Sequence, residues 1–367
     1  MKIQRVEPIA VRLPLTRPIR RSKGVLTTAD NVLVRLEAGG VVGWGEAGSA
    51  PTMTGEFVEG MVAAITHLAP FLEGEQLSDI VRLSAIMDAN LYGNSGAKAA
   101  IEMAAHDALG RSLGKPLYEL LGHKRRDRIP ALRMIASGEA AADVAEAKRC
   151  RGESYVAYKI KVGAGDVQAD IERTRAVCSA LGGGVLISAD ANQNWSVAQA
   201  LEYVRAVQDT TLNFLEQPVV AADLAGMAGI AAATRIAIGC DEGVHGLADI
   251  RNHHAARAAG GVSLKAIKLG GLKPMYDAAM LCDELGMKVN LACKIAESGI
   301  ATAAVLHMAA AVPSLDWGVS LTSQYLAEDV LARPLVFSDG HAEVPQGPGL
   351  GVEVDEARVK KFAVQGL

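Results

Sequence analysis

Lys159 and Lys161 stand two residues apart in the run YVAYKIKV, residues 155–162. In a strand, residues two apart leave on the same face, so both ammonium groups point one way while Tyr158, Ile160 and Val162 point the other. Neighbouring ammonium groups disfavour each other's charge, which lowers the pKa of one and suits it to act as a base near neutrality. Three acids then close the next three apolar runs: Asp190 in SADAN, Glu216 in FLEQP and Asp241 in GCDEG. Any one of them alone reads as a helix cap or a surface charge; all three in the same relative place read as a site. Carboxylates meeting without His or Cys offer only oxygen, which selects a hard divalent ion such as Mg²⁺ over zinc. Asn192 shares the strand face of Asp190 and is a candidate substrate contact, whereas Glu242 points away and reads as a supporting residue or a helix cap.

Lys265 and Lys268 lie in the sixth run, VSLKAIKLGG, three apart, so they do not share a strand face and only one enters the same space. Alternation does not choose between them. Either one would lie across the site from the 155–162 run, placing a lysine on each side of the acids. A metal that stabilises a negatively charged oxygen, flanked by such lysines, is suited to moving a proton on a carbon next to a carboxylate. Glu297 in CKIAESGI follows the seventh run and reads as a neighbour of the site or a helix cap. Arg20, Arg21 and Lys23 are expected in an N-terminal loop, as surface charges or carboxylate contacts.

These groups need a scaffold that brings the ends of many strands together. Residues 1–15 and 31–48 alternate as antiparallel strands with a turn at Gly39-Gly40, and residues 55–72 and 97–121 have helical spacing. From about residue 128 short apolar runs alternate with Ala-rich helical stretches at intervals of about 25 residues. The runs are 129–136, 155–162, 185–190, 212–217, 236–241, 262–268, 288–293 and 315–319. Alternating strand and helix implies parallel strands with crossover helices, and eight runs point to an α/β barrel, whose reactive groups sit at the C-terminal strand ends. The expected division is an α+β capping domain over 1–125, the barrel over 126–320, and a segment over 321–367 that returns to the cap.

Composition agrees with such a scaffold. Of 367 residues half are hydrophobic but only 4% aromatic, as closely packed helices around parallel strands require. The formal charge of −4 offers no basic field for a phosphate backbone, so nucleic acid is excluded as a partner. The longest apolar runs fall short of the roughly 20 residues needed to span a bilayer. Five separated cysteines without a CxxC pair read as free thiols, and the N-terminus lacks a signal-peptide pattern, so a cytoplasmic location is expected. Walker A, HExxH and GxSxG motifs are absent from the sequence.

Taken together, the KIK pair, the acids closing three successive runs, the sixth-run lysine and the closing PQGPGLGVEVDE resemble the muconate lactonising branch of the enolase superfamily. The resemblance implies a modified (β/α)7β barrel under an α+β cap, with Asp190, Glu216 and Asp241 as ligands of Mg²⁺ or Mn²⁺. It implies Lys161 as acid/base with Lys159 as its charge neighbour, and Lys265 rather than Lys268 as the lysine of the opposite face. It also implies a homo-oligomer acting on a small-molecule carboxylate; Asn192 and Glu297 from their positions, and Ser320 from the resemblance, are the candidate substrate contacts. Ser320 stands where several muconate cycloisomerases carry Glu. The eighth run has Asp316 but not the Asp-x-Asp of dipeptide epimerases, and the tail from Trp317 resembles that of muconate cycloisomerases. The expected activity is a cycloisomerisation of cis,cis-muconate or a related diacid. The alternatives on the same site are racemisation or epimerisation of an α-amino-acid derivative and o-succinylbenzoate synthesis.

Overall fold

Alternating apolar residues at the N-terminus pair into long antiparallel strands. In the computed structural model, which describes residues 1–21 and 24–367, β1 (Ile3–Arg21), β2 (Gly24–Ala38) and β3 (Val41–Gly48) form one sheet in that order. Gly39 and Gly40 make the β2–β3 turn with φ of 56° and 81°, left-handed values that glycine takes without strain. The backbone of Arg20 and Arg21 belongs to β1 rather than to a loop, and Lys23 lies outside the described residues. Helices α1 (Val58–Leu72), α2 (Ile80–Asn90), α3 (Ser95–Leu113) and α4 (Leu117–Leu121) follow. The single helix expected over 97–121 is broken at Gly114 (φ 65°), ahead of Pro116. Helix α2 escapes the periodicity because it buries only Ile80, Leu83 and Met87. The Ala stripe of α3 lies directly on β3: a Cβ added to Gly45 would come 1.9 Å from the Ala100 carbonyl oxygen. Glycine on the strand and alanine on the helix let the two backbones touch.

Pro130, which has no N–H to donate, stands at the split of the expected strand 129–136. Its first part, β4 (Arg128–Pro130), pairs antiparallel outside the barrel, and its second, β5 (Leu132–Ile135), enters it. The repeat then runs α5 (Ala140–Gly152), β6 (Ala157–Lys161), α6 (Val167–Leu181), β7 (Leu186–Asp190), α7 (Val197–Val207), β8 (Phe214–Glu216), α8 (Leu224–Ala232) and β9 (Ala237–Cys240). It continues through α9 (Leu247–Ala255), β10 (Gly261–Leu264), α10 (Ala266–Leu269), α11 (Leu272–Glu284), β11 (Lys288–Ala292), α12 (Gly299–Ala311) and β12 (Val319–Ser320). Strands β5 to β12 form one parallel sheet in chain order, and a bridge between Ala131 and Val319 brings its two ends together. This is the expected (β/α)7β barrel.

The sixth and eighth runs are among those that come out shorter than expected. The sixth ends at Leu264, so Lys268 lies on the one-turn helix α10 and not on a strand. The eighth begins only at Val319, because Trp317 turns into the barrel and stacks on Phe214 with ring centroids 4.0 Å apart. Gly239 and Gly261 make room for that ring: an added Cβ would come within 2.8 and 2.5 Å of it. The stacked pair floors the barrel beneath the strand ends.

After a 3-10 turn (Ser323–Tyr325), β13 (Phe337–Ser338) and β14 (His341–Glu343) pair with β4. Helix α13 (Glu356–Phe362) packs on β1, and the Val364 N–H donates to the Ala10 carbonyl at 2.9 Å. All five cysteines are buried and free. Among the described residues, no helix is long and apolar enough to cross a membrane.

Candidate active site

The register of the parallel strands sets Lys161, Asp190 and Glu216 side by side on β6, β7 and β8, and Glu216 level with Gly239, two residues before Asp241. Paired residues of neighbouring strands point the same way, so these side chains share the barrel mouth. They line a cavity of about 340 Å³ together with Lys159, Asn192, Glu242, Lys265, Lys294 and Ser320, under the cap loop of residues 49–53. The sequence brings together what it marked: both members of the KIK pair, all three strand-end acids, Asn192, Ser320 and one lysine of the sixth run.

Each acid faces an ammonium group. Lys159 Nζ donates to Glu216 Oε2 at 2.5 Å and Lys161 Nζ to Asp190 Oδ2 at 2.5 Å. Lys265 Nζ donates to Asp241 Oδ2. Lys268, carried one helical turn onward, also reaches Asp241. Its Nζ lies 2.7 Å from Oδ1 but is not aligned as a hydrogen bond to it, and it donates instead to the Asp241 and Ser263 carbonyls. Lys265 therefore lines the cavity while Lys268 is buried beneath Asp241.

These pairings reverse one expectation. Burial works to lower the Lys161 pKa, but the charge and hydrogen bond of Asp190 outweigh it and the net shift is upward. The acids, and not the neighbouring ammonium, dominate. Lys265 is likewise raised on balance, burial being outweighed chiefly by Asp241. Burial and the charge of Lys265 push Lys268 down. Among the acids, burial opposes ionisation throughout. Lys161 and Lys159 still hold Asp190 below the usual carboxylate range, and Lys265 and Lys268 do the same for Asp241. Glu216 is raised by burial and by the charges of Asp190 and Asp241.

Glu242 does not point away as expected. The chain bends after β9, and Glu242 lines the cavity, accepting from Asn192 Nδ2 at 3.1 Å. Burial, then the Asp241 and Asp190 charges, push it up to about 7. Asn192 reaches the cavity through a left-handed backbone (φ 43°) just past the end of β7, and its Oδ1 accepts from Lys161 at 2.8 Å. Gln217, unmarked in the sequence, fixes the loop after β9: its side-chain oxygen accepts from the Asp241 N–H at 2.9 Å and the Gly243 N–H at 3.1 Å. Ser320 lines the cavity with its buried Oγ lacking a hydrogen-bond partner among the described residues.

Glu297 lies elsewhere. It is outside the lining, and its carboxylate accepts from the Gly48 N–H at 3.0 Å and the Lys294 N–H at 2.8 Å. Beside it Glu46 of β3 accepts from the Ser298 N–H at 2.8 Å and Ser298 Oγ at 2.6 Å, at the start of α12. Burial first, then the charge of Glu297, push Glu46 up to about 8. These two acids fasten cap to barrel.

Arg173 of α6 holds the C-terminal end of β6 in place. Its guanidinium donates to Asp143 Oδ2 at 2.7 Å, to Asp170 Oδ1 at 2.8 Å and to the Lys161 carbonyl at 3.0 Å, all in the interior. Arg173→Met leaves two acids buried without their cation, so a loss of about 3–5 kcal/mol is expected. Urea unfolding of the two proteins measures it; a loss below about 1 kcal/mol would show that the network is not holding β6.

Among the described residues, no three His, Cys, Asp or Glu side chains are gathered so as to hold a metal ion. Asp190, Glu216 and Asp241 nevertheless fit a hard cation in donor type and in placement. They are oxygen donors on three successive strand ends, close enough to raise one another's pKa, and Asp241 Oδ1 is buried without an aligned donor. In this structure the lysines neutralise them.

Comparison with known proteins places this geometry. The chain matches the enolase C-terminal domain-like family over residues 139–358 and the mandelate racemase/muconate lactonizing enzyme N-terminal domain over residues 4–122. A chloromuconate cycloisomerase of Cupriavidus pinatubonensis is 34% identical over 359 residues, 96% of each chain. An N-succinyl-L-Arg/Lys racemase of Bacillus cereus is 29% identical, over 99% of this chain and 98% of its own. The crystal structure of muconate lactonizing enzyme from Pseudomonas fluorescens with muconolactone superposes with a TM-score of 0.95 at 32% identity, covering 99% of both chains. The chain therefore belongs to the mandelate racemase/muconate lactonising family of the enolase superfamily, in its muconate-lactonising subgroup, and is an isomerase-type enzyme.

Proposed function

We propose that the protein is a divalent-metal-dependent cycloisomerase of cis,cis-muconate or a related diacid. The observation that carries this reading is the placement of two lysines, Lys161 at the end of β6 and Lys265 just after β10, in one cavity with three acids between their strands. Asp190, Glu216 and Asp241 would hold Mg²⁺ or Mn²⁺, which supplies positive charge for a substrate carboxylate that becomes more negative during reaction. One carboxylate oxygen of the diacid bonds to the far carbon of the conjugated double bond. The displaced electron pair moves toward the other carboxylate, and a lysine ammonium delivers its proton to the carbon next to it. Both lysines, held protonated by their acids, suit that donor role.

A second reading has its own support. Two lysines across one site also suit removal and return of an α-proton from opposite faces, and the N-succinyl-L-Arg/Lys racemase superposes with a TM-score of 0.95 at 29% identity. Mixing the Mg²⁺-loaded protein with cis,cis-muconate should abolish the diene absorbance as lactone forms. If muconate is untouched while an N-succinylamino acid exchanges its α-proton in deuterated water, the racemase reading replaces the first.

A further inference from the structure

Four lysines line the cavity, and Lys294 is the one that comes from beyond β11 rather than from β6 or the end of β10. It follows Ala292, the last residue of β11, by two positions, in the segment Ala292, Cys293, Lys294 and Ile295 that lines the cavity as the chain leaves the strand. Its chain crosses the seam between barrel and cap. A Cβ on Gly48 would lie 2.7 Å from Lys294 Cδ, so the absence of a side chain at Gly48 is what lets the lysine run there. The backbone beneath it is fixed from two sides: its N–H donates to Glu297 at 2.8 Å, and its carbonyl accepts from Thr322 Oγ1 at 2.8 Å. Lys294 is 7% exposed, and its charge acts on Glu297. The rest of the lining includes Leu132, Met134 and Ile295, an apolar wall suited to a short hydrocarbon chain.

We propose that Lys294 binds the second anionic group of the substrate and so selects dicarboxylates over monocarboxylates. This rests on the diacid reading above and goes beyond it by naming the residue that makes the choice. The ammonium of a buried lysine in the cavity wall favours a carboxylate and gives nothing to an alkyl end. Lys294 is then a binding residue, apart from the proton-transfer lysines.

The test uses the Mg²⁺-loaded protein and two unreactive probes of six carbons, adipate and hexanoate, with binding measured by calorimetry. The wild type should prefer adipate by about 10-fold or more, Lys294→Met should lose most of that preference, and Lys294→Arg should keep most of it. In turnover of muconate, Lys294→Met should raise KM by more than it lowers kcat. An unchanged adipate preference in Lys294→Met overturns the proposal even if muconate is converted normally. If the wild type leaves muconate untouched while the adipate preference is present and is lost in Lys294→Met, the cycloisomerase reading falls and the dicarboxylate clamp stands. Lys294→Gln, which keeps a polar chain, decides the same question if the Met variant fails to fold.

Discussion

Lys161→Ala is expected to lower kcat for muconate by about 10²–10⁴-fold, the usual contribution of a positioned general acid, while Lys265→Ala costs less. The asymmetry follows from exposure. The Lys161 side chain is 24% exposed and also donates to Asn192, so its ammonium stands in the open part of the cavity. The Lys265 side chain is 9% exposed against Asp241. In a cycloisomerisation only one lysine has to deliver the proton, and the more open one is placed for it. Steady-state kinetics of the two variants, with lactone formed in deuterated water to read the face of addition, checks this. A larger loss for Lys265→Ala would assign delivery to the opposite face. Equal losses of 10²-fold or more would favour two-base racemase chemistry.

The second large effect is expected at Glu216. It lies between Asp190 and Asp241 along the strand order and feels both charges. Chelation should abolish activity and Mg²⁺ restore it, and Glu216→Gln should weaken the apparent metal affinity by about 100-fold or more, since even supporting partners of metal ligands cost 10–100-fold. Activity against free Mg²⁺ concentration, and Mn²⁺ binding followed by electron spin resonance, give two independent readouts. Because the change also removes the partner of buried Lys159, a thermal melt of the variant belongs with them. Full activity in chelator would end the metal assignment.

The strand-end residues were legible because a parallel barrel imposes one rule on every strand. Lys159, Lys161, Asp190 and Glu216 lie on inward positions of strands buried on both sides, where a polar side chain requires a partner, whereas Ser320 is marked only by the family resemblance. The rule failed where the chain leaves the strand. Lys268 reaches Asp241 because α10 replaces the expected strand and returns its side chain after one turn, and Glu242 lines the cavity because the loop after β9 bends. The cap loop at 49–53 was not legible, since its approach to the barrel depends on packing between segments far apart in sequence. Gly48, set against Lys294 and Glu297, records that packing, but a glycine in isolation does not say what approaches it.

The seam at Glu46 and Glu297 separates two tasks that the cavity combines. Every lysine and acid proposed for proton movement hangs from the barrel, whereas residues 49–53, which close the cavity, follow β3 of the cap. Glu46 reaches the start of α12, where its carboxylate accepts from the Ser298 N–H just ahead of the helix and the Ala301 N–H in its first turn, so the two parts fold against one shared set of bonds, well removed from the strand-end acids in sequence. A lineage can therefore redraw the 49–53 loop to admit new molecules while the reacting groups inherit their positions unchanged, provided Glu46 is kept. Enzyme engineers have the same freedom: libraries confined to that loop should alter preference without rebuilding the chemistry.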